Sequence, residues 1–186
     1  MNVYDLVMKP VESLILHEVR SELVPLAEKN VLEIGIGTGV NLPYYDLSRV
    51  SSITGLDQEY AKELERCPTE DFSFVVGDIE RLPFAASSFE SVVVTLVLCT
   101  VDLDKSLQEI KRVLKPGGVF IFIEHIRPHG KLAGGLSDGL NRVWPKLAHG
   151  CNVNRRTDIA LQENHFSDIH IRYKGAGIFC YGYAKE

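Results

Sequence analysis

Hydrophobic positions along this chain switch between a helical and a strand-like period. Over residues 7–29, Val11, Leu14, Ile15, Val19, Leu23 and Leu26 recur near helical spacing. That predicts a helical segment with Pro10 in its first turn and Pro25 kinking or interrupting its later part. Short apolar runs at 30–34, 52–56, 72–76, 89–98 and 119–124 are bounded by Gly, Asp or Pro and read as buried strands. Between them, 40–47 predicts a short helix or turn and 60–66 a helix stopped by Pro68. A further helix is expected over 104–114, capped by Asp102. Residues 125–155 are the least regular, with Gly130, Gly134, Gly135, Gly139 and Gly150 around a helix expected at 136–147. A helix over 156–164 follows, then strands at 166–173 and 178–184. The Lys174-Gly-Ala-Gly177 link between these strands is short enough for an antiparallel hairpin.

Alternation of strand and helix through the first five strands predicts an α/β, doubly wound sheet with right-handed crossovers. It should hold about seven strands, mostly parallel, with an antiparallel C-terminal hairpin strand. Ligands in such sheets bind outside the carboxyl ends of the strands, beside the first. With 186 residues, 45% of them hydrophobic, a single domain with a substantial core is expected. Residues 1–29 would form its N-terminal helical segment and 125–155 an insert that lids the ligand pocket.

The net charge of −5 argues against nucleic acid as a default partner. Cys67, Cys99, Cys151 and Cys180 are widely spaced, without a CxxC pattern. They read as thiols of a reducing compartment, not as a disulfide framework or a zinc site. Cys99 lies in an apolar run and reads as a core thiol. The run Val92–Val101 is far short of the roughly 20 residues a membrane span needs. The N-terminus lacks a basic region and an apolar signal core. A cytoplasmic protein with no integral membrane segment is the expectation.

Chemistry concentrates at Val31-Leu-Glu-Ile-Gly-Ile-Gly-Thr-Gly39, a buried strand running into Gly35, Gly37 and Gly39. Such a loop lets a ligand lie against bare backbone. Asp57 ends the second strand, 22 residues after Gly35, where a carboxylate can accept from both ribose hydroxyls. Asp78 ends the third, where its carboxylate and the Ile79 amide can read an adenine edge. Glu33 can brace the loop amides or accept from a ligand ammonium. Three acids facing one crevice suit a cationic adenosyl ligand better than a pyrophosphate, which wants bare amides. The spacing departs from Gly-x-Gly-x-x-Gly, and no Gly-Lys-Ser/Thr follows the loop. Each Gly and Asp taken alone is also an ordinary turn residue.

Taken together, Val31–Gly39, Gly55-Leu-Asp57, Val76-Gly-Asp78, Leu82-Pro-Phe84 and Leu114-Lys-Pro-Gly-Gly118 resemble the ordered motifs of class I S-adenosylmethionine-dependent methyltransferases. The Leu-Pro-Phe and the last motif resemble the ubiquinone/menaquinone methyltransferase-like (type 11) branch. The region from Val94–Thr100 through Glu124-His125, Gly150-Cys-Asn152 followed by Arg155, and the ending Tyr181–Ala184 resemble the methyltransferase-like thiol S-methyltransferases of animal endoplasmic reticulum. Those animal enzymes carry an N-terminal hydrophobic anchor that is not seen in this sequence, which sets a membrane-dissolved acceptor in question. The resemblance implies a Rossmann-like fold, S-adenosyl-L-methionine as methyl donor, S-adenosyl-L-homocysteine as product and a small-molecule methyl acceptor, with a thiol among the candidates. It places Thr95 and Leu96 near the methionine part of the cofactor; as residues, both are also ordinary strand core. Asn41 and Gln58 complete the candidate cofactor set.

Glu124 and His125 end the fifth strand and should face the crevice mouth, where His125 can hold or deprotonate an acceptor, or simply bond a loop backbone. Cys151, with no His partner visible in the sequence, reads as packing before nucleophile. Tyr4 and Tyr44 can stack on a sulfonium or pack, and Trp144 and Leu147 can form an apolar lid or anchor the insert. His17, His129, His149, His165 and His170 show no ligand spacing, so no metal is expected. Two other readings stand beside methyl transfer. A nicotinamide-dependent reductase is supported only by the glycine loop and Asp57, and disfavoured by Asp78 and the hairpin. A non-catalytic cofactor-binding protein of the same fold is the other.

Overall fold

Seven strands carry the fold: β1 (Lys29–Ile34), β2 (Val50–Asp57), β3 (Phe72–Val76), β4 (Phe89–Thr95), β5 (Leu114–His125), β6 (Ser167–Lys174) and β7 (Phe179–Lys185). They pair into one sheet in the order β3-β2-β1-β4-β5-β7-β6. This computed structural model describes residues 15–67, 69, 71–148 and 150–186. The first five strands are mutually parallel. β7 enters antiparallel between β5 and β6, as the hairpin predicts.

Alternation along the central strands feeds two cores, one on each face. Val92, Val94, Phe120 and Phe122 point to one, where α2 (Leu103–Val113) contributes Leu107, Ile110 and Val113. α5 (Thr157–Glu163, following the insert helices α3, Lys131–Leu140, and α4, Trp144–Leu147) adds Ala160 and Leu161. Val31, Ile53, Val93, Ile121 and Ile123 point to the other, covered by Leu16 and by Val19 and Leu23 of α1 (His17–Leu23). Strands buried on both faces read as continuous Val/Ile/Leu/Phe runs, which is what makes them visible in sequence.

α1 passes into a 3-10 turn, Val24–Leu26, at Pro25. The first crossovers are short: 3-10 turns Leu42–Tyr44 and Lys62–Arg66 stand where full helices are usual. The Asp102 carboxylate accepts from Lys105 N at 3.3 Å and caps α2 as expected. Residues 7–14 and Pro68 lie outside the described residues.

Three expectations are corrected. β4 stops at Thr95, not at Leu98, because Leu96 turns the chain at φ +60°. Leu98 and Cys99 are buried as loop residues. β5 begins at Leu114, four residues before the glycine pair ends, with a register shift against Phe89–Ser91. The single helix over 136–147 is two: α3 (Lys131–Leu140) and a single turn, α4 (Trp144–Leu147), which holds Pro145 in its first turn.

Candidate active site

The glycine loop leaves β1 with Gly35, Gly37 and Gly39 all at positive φ, +68°, +51° and +78°. Gly35 N donates to Leu56 O at 2.7 Å, tying the loop to β2. A side chain on Gly35 would collide with Val97 Cγ2, whereas nothing lies within 4 Å of a Cβ placed on Gly37. The Gly37 amide donates to Asp57 Oδ2 at 2.8 Å, and Gln58 N donates to Oδ1 at 2.7 Å. Asp57 is half-buried and Gln58 exposed. Asp78 is exposed at the end of the neighbouring β3, its Oδ1 accepting from Glu80 N at 2.9 Å. Ile79 buries its side chain in the core beneath. The loop, Asp57 and Asp78 therefore follow one another along the carboxyl ends of β1, β2 and β3, with open space over Gly37.

Glu33 does not face that crevice. It is 2% exposed, and both carboxylate oxygens are taken. Asn41 Nδ2 donates to Oε1 at 2.9 Å and the Tyr45 hydroxyl to Oε2 at 2.7 Å. Burial pushes its pKa up to about 7, against the two hydrogen bonds and the nearby Arg20 charge, which pull it down. Asn41 Nδ2 also reaches Thr95 Oγ1 at 3.2 Å. Arg20, from α1, donates to Asn41 Oδ1 and to Thr95 Oγ1. Glu33, Asn41 and Thr95 are thus brought together as a polar brace below the glycine loop. Leu96 turns beside it, its amide donating to Ile123 O at 2.8 Å. Arg20 was not among the sequence candidates. Its signal was there: a charge at the helical stripe of Leu16, Leu23 and Val24, all buried.

Glu124 and His125 are also buried, 0% and 5% exposed, instead of lining the mouth. Glu124 Oε1 accepts from Val97 N and Leu98 N, both at 3.0 Å, and Oε2 is buried without a hydrogen-bond partner among the described residues. Burial raises this carboxyl to about 8 despite the amides. His125 stacks on Phe179 with centroids 4.5 Å apart, and its Nδ1 lies 3.5 Å from Cys151 Sγ. That gives Cys151 the histidine neighbour its sequence context did not show. Cys99 Sγ, Cys151 Sγ and a ring nitrogen of His125 lie within 4.8 Å of one another. The Cys99 thiol is held above its ordinary pKa by its hydrogen bond to Cys151 and by burial. Cys151 is held below its own by the same bond and by His125. Spacing along the chain does not report this cluster, because its members sit on three separate segments.

The segment carrying Cys151 is stitched to the β4 end. Asn152 N and Nδ2 both donate to Cys99 O, at 2.9 and 3.1 Å, and Arg155 reaches Val101 O at 2.9 Å. Trp144 packs on the thiols, while Leu147 is exposed. Leu132, Leu136, Leu140 and Val143 are exposed with it, so the insert presents an apolar stripe. Tyr44 hydroxyl bonds His17 Nδ1 at 2.6 Å. His129 pairs with Asp158 and His170 with Asp168. Tyr4 and His149 lie outside the described residues.

A seven-stranded sheet in this order, with a glycine loop and strand-end acids at its switch point, defines a Rossmann-like domain for a nucleoside cofactor. Residues 32–122 match the family model described as "Methyltransferase domain". Human thiol S-methyltransferase TMT1A (Homo sapiens) is 31% identical over 86% of this chain and 72% of its own length. Rat thiol S-methyltransferase TMT1B (Rattus norvegicus) is 33% identical over 79% of this chain, which spans 64% of that relative. A solved S-adenosylmethionine-dependent methyltransferase from Mesorhizobium loti superposes with a TM-score of 0.70 at 18% identity, covering 91% of this chain and 96% of its own. The chain belongs to the S-adenosylmethionine-dependent methyltransferase family that includes the thiol S-methyltransferases. Among the described residues no helix is long and apolar enough to cross a membrane.

Proposed function

We propose that this chain transfers the methyl group of S-adenosyl-L-methionine to a small-molecule thiol. The observation that carries the cofactor reading is the bared Gly37 backbone with Asp57 locked on its amide and Asp78 beside it. Asp57 keeps lone pairs for the ribose hydroxyls, and the exposed Asp78 with the Ile79 amide suits the adenine edge. The Glu33–Asn41–Arg20–Thr95 brace fixes the loop at the methionine end. When bound, the sulfonium supplies an activated methyl and a neutral sulfide leaving group. A thiolate sulfur forms the new bond to the methyl carbon as the methyl–sulfonium bond breaks, and S-adenosyl-L-homocysteine leaves with that electron pair. The protein's part is to orient and desolvate the acceptor. A thiol acceptor ionises readily, so this reading assigns neither Glu124 nor His125 as general base. The acceptor class rests on the relatives' activity. We place the protein in the reducing cytoplasm on the strength of its free cysteines.

S-adenosylhomocysteine is expected to raise the melting temperature and NAD(P)H to leave it unchanged; the reverse pattern rejects the cofactor reading. Methyl transfer is then assayed across thiols, amines, quinol analogues and metalloid oxyanions. Turnover confined to non-thiols removes the thiol. Asp57→Ala is expected to weaken S-adenosylhomocysteine binding more than tenfold, since charge-assisted hydrogen bonds contribute roughly 1.5–3 kcal/mol. Calorimetric titration of the variant checks it.

A further inference from the structure

We propose that Cys99, His125 and Cys151 form a binding site for one zinc ion. The three come from the loop after β4, the end of β5 and the segment after α4, so only the fold assembles them. Their donor atoms lie within 4.8 Å of one another, and Cys151 Sγ to His125 Nδ1 is 3.5 Å. Tetrahedral zinc, with bonds of about 2.3 Å to sulfur and about 2.0 Å to nitrogen, sets those two donors about 3.5 Å apart. Contacts besides those of the thiols hold the site in place. Two hydrogen bonds from Asn152 fix its segment to the Cys99 carbonyl, Cys151 N donates to Ala148 O at 2.8 Å, and Phe179 fixes the imidazole plane.

Burial supports the same reading. All three residues are at most 5% exposed. Two thiolates, a neutral imidazole and Zn2+ sum to zero charge, so the occupied site buries no uncompensated ion. Trp144 packs against the cluster of Cys99, Ala148 and Cys151, and its buried Nε1–H, which has no oxygen or nitrogen acceptor among the described residues, bonds the Cys151 sulfur. An N–H of this kind is the donor that metal-bound thiolates take from their surroundings. Thiolate and imidazole donors select zinc over magnesium, calcium or manganese. No fourth His, Cys, Asp or Glu among the described residues joins the set. Three protein ligands and a fourth position for water or another small ligand make up the open type of zinc site. Binding displaces any proton still held on the two sulfurs and pins Cys151 and Asn152 to the ends of β4 and β5.

The test uses reduced, untagged full-length protein. Elemental analysis after purification, and competition of Zn2+ against a chromophoric chelator, are expected to give one zinc per chain. Cobalt substitution is expected to give thiolate-to-metal charge-transfer absorption. Cys99→Ser and Cys151→Ser should each weaken zinc binding on the order of 100-fold or more, while Cys67→Ser leaves it unchanged. Folded, reduced wild-type protein that binds no zinc overturns the proposal whatever the variants do. So does zinc held equally by wild type and a Cys99→Ser/Cys151→Ser double variant. Because this readout is metal content, it stands or fails apart from methyl transfer.

Discussion

Gly35→Ala is expected to lose about 2–5 kcal/mol of stability and to bind S-adenosylhomocysteine on the order of 100-fold more weakly. The left-handed backbone, φ +68°, costs an L-residue about 1–2 kcal/mol. Overpacking against Val97 Cγ2 adds about 1–3 kcal/mol. Val97 cannot simply withdraw. Its amide is held by Glu124 Oε1, and its carbonyl accepts from both the amide and the hydroxyl of Thr100. The glycine loop therefore gives way, taking Gly37 N off Asp57. Gly37→Ala is the control. It has the same handedness at φ +51° but an empty Cβ position, so its stability should fall by only the backbone penalty of about 1–2 kcal/mol while a ligand lying on the loop is still blocked. Urea unfolding and calorimetric titration of both variants separate the effects. Equal stability losses would show that the contact with Val97 carries no weight.

The same Val97 contact links features that look separate in the sequence. Gly35 packs on Val97, Val97 N hangs on Glu124, and Glu124 precedes His125 on β5. The glycine loop and the thiol cluster are thus joined by one continuous run of contacts.

What could be read from sequence was local. Positive-φ glycines, strand-end aspartates and the helix cap at Asp102 are signalled within a few residues, and the alternation of strand and helix follows from burial on both faces. What could not be read is carried by distance along the chain. Arg20 and Thr95 are 75 residues apart, and Cys99 and Cys151 are 52 apart. Apolar patterning also misled where burial and strand geometry part. Val94–Cys99 is apolar except for Thr95, yet the strand ends at Thr95; Leu98 is buried in the core shared with α2 and α5, and Cys99 packs with Cys151, Ala148 and Trp144. Glu33 was placed correctly at the strand end but not on the correct side. Its position in β1 points it under the loop, where Asn41 and Tyr45 take both oxygens.

That buried carboxyl makes the cost of an Arg20→Met substitution depend on pH. In the wild type, Glu33 titrates near 7 instead of its usual 4.5, so the fold favours its protonated form. The corresponding stabilisation is complete below about pH 4.5 and is lost as pH rises through about 7. A shift of this size is worth about 3 kcal/mol in total. Arg20 is the positive charge that limits the loss. Without it the Glu33 pKa rises further, and holding a bare carboxylate there at pH 8 should cost about 3–5 kcal/mol. At pH 5 the carboxyl is neutral in either protein. The variant then loses hydrogen bonds that include those to Asn41 and Thr95, about 1 kcal/mol each. Chemical denaturation at the two pH values measures the difference, and taking variant against wild type cancels the parallel titration of Glu124. Glu33→Gln keeps the acceptor for Asn41 Nδ2, turns the atom facing Tyr45 into a donor to the hydroxyl oxygen, and removes the ionisation. In the Arg20→Met background it should restore most of the stability lost at pH 8 and little of that lost at pH 5. An Arg20→Met cost that is the same at both pH values would show that the guanidinium supports the loop through hydrogen bonds alone.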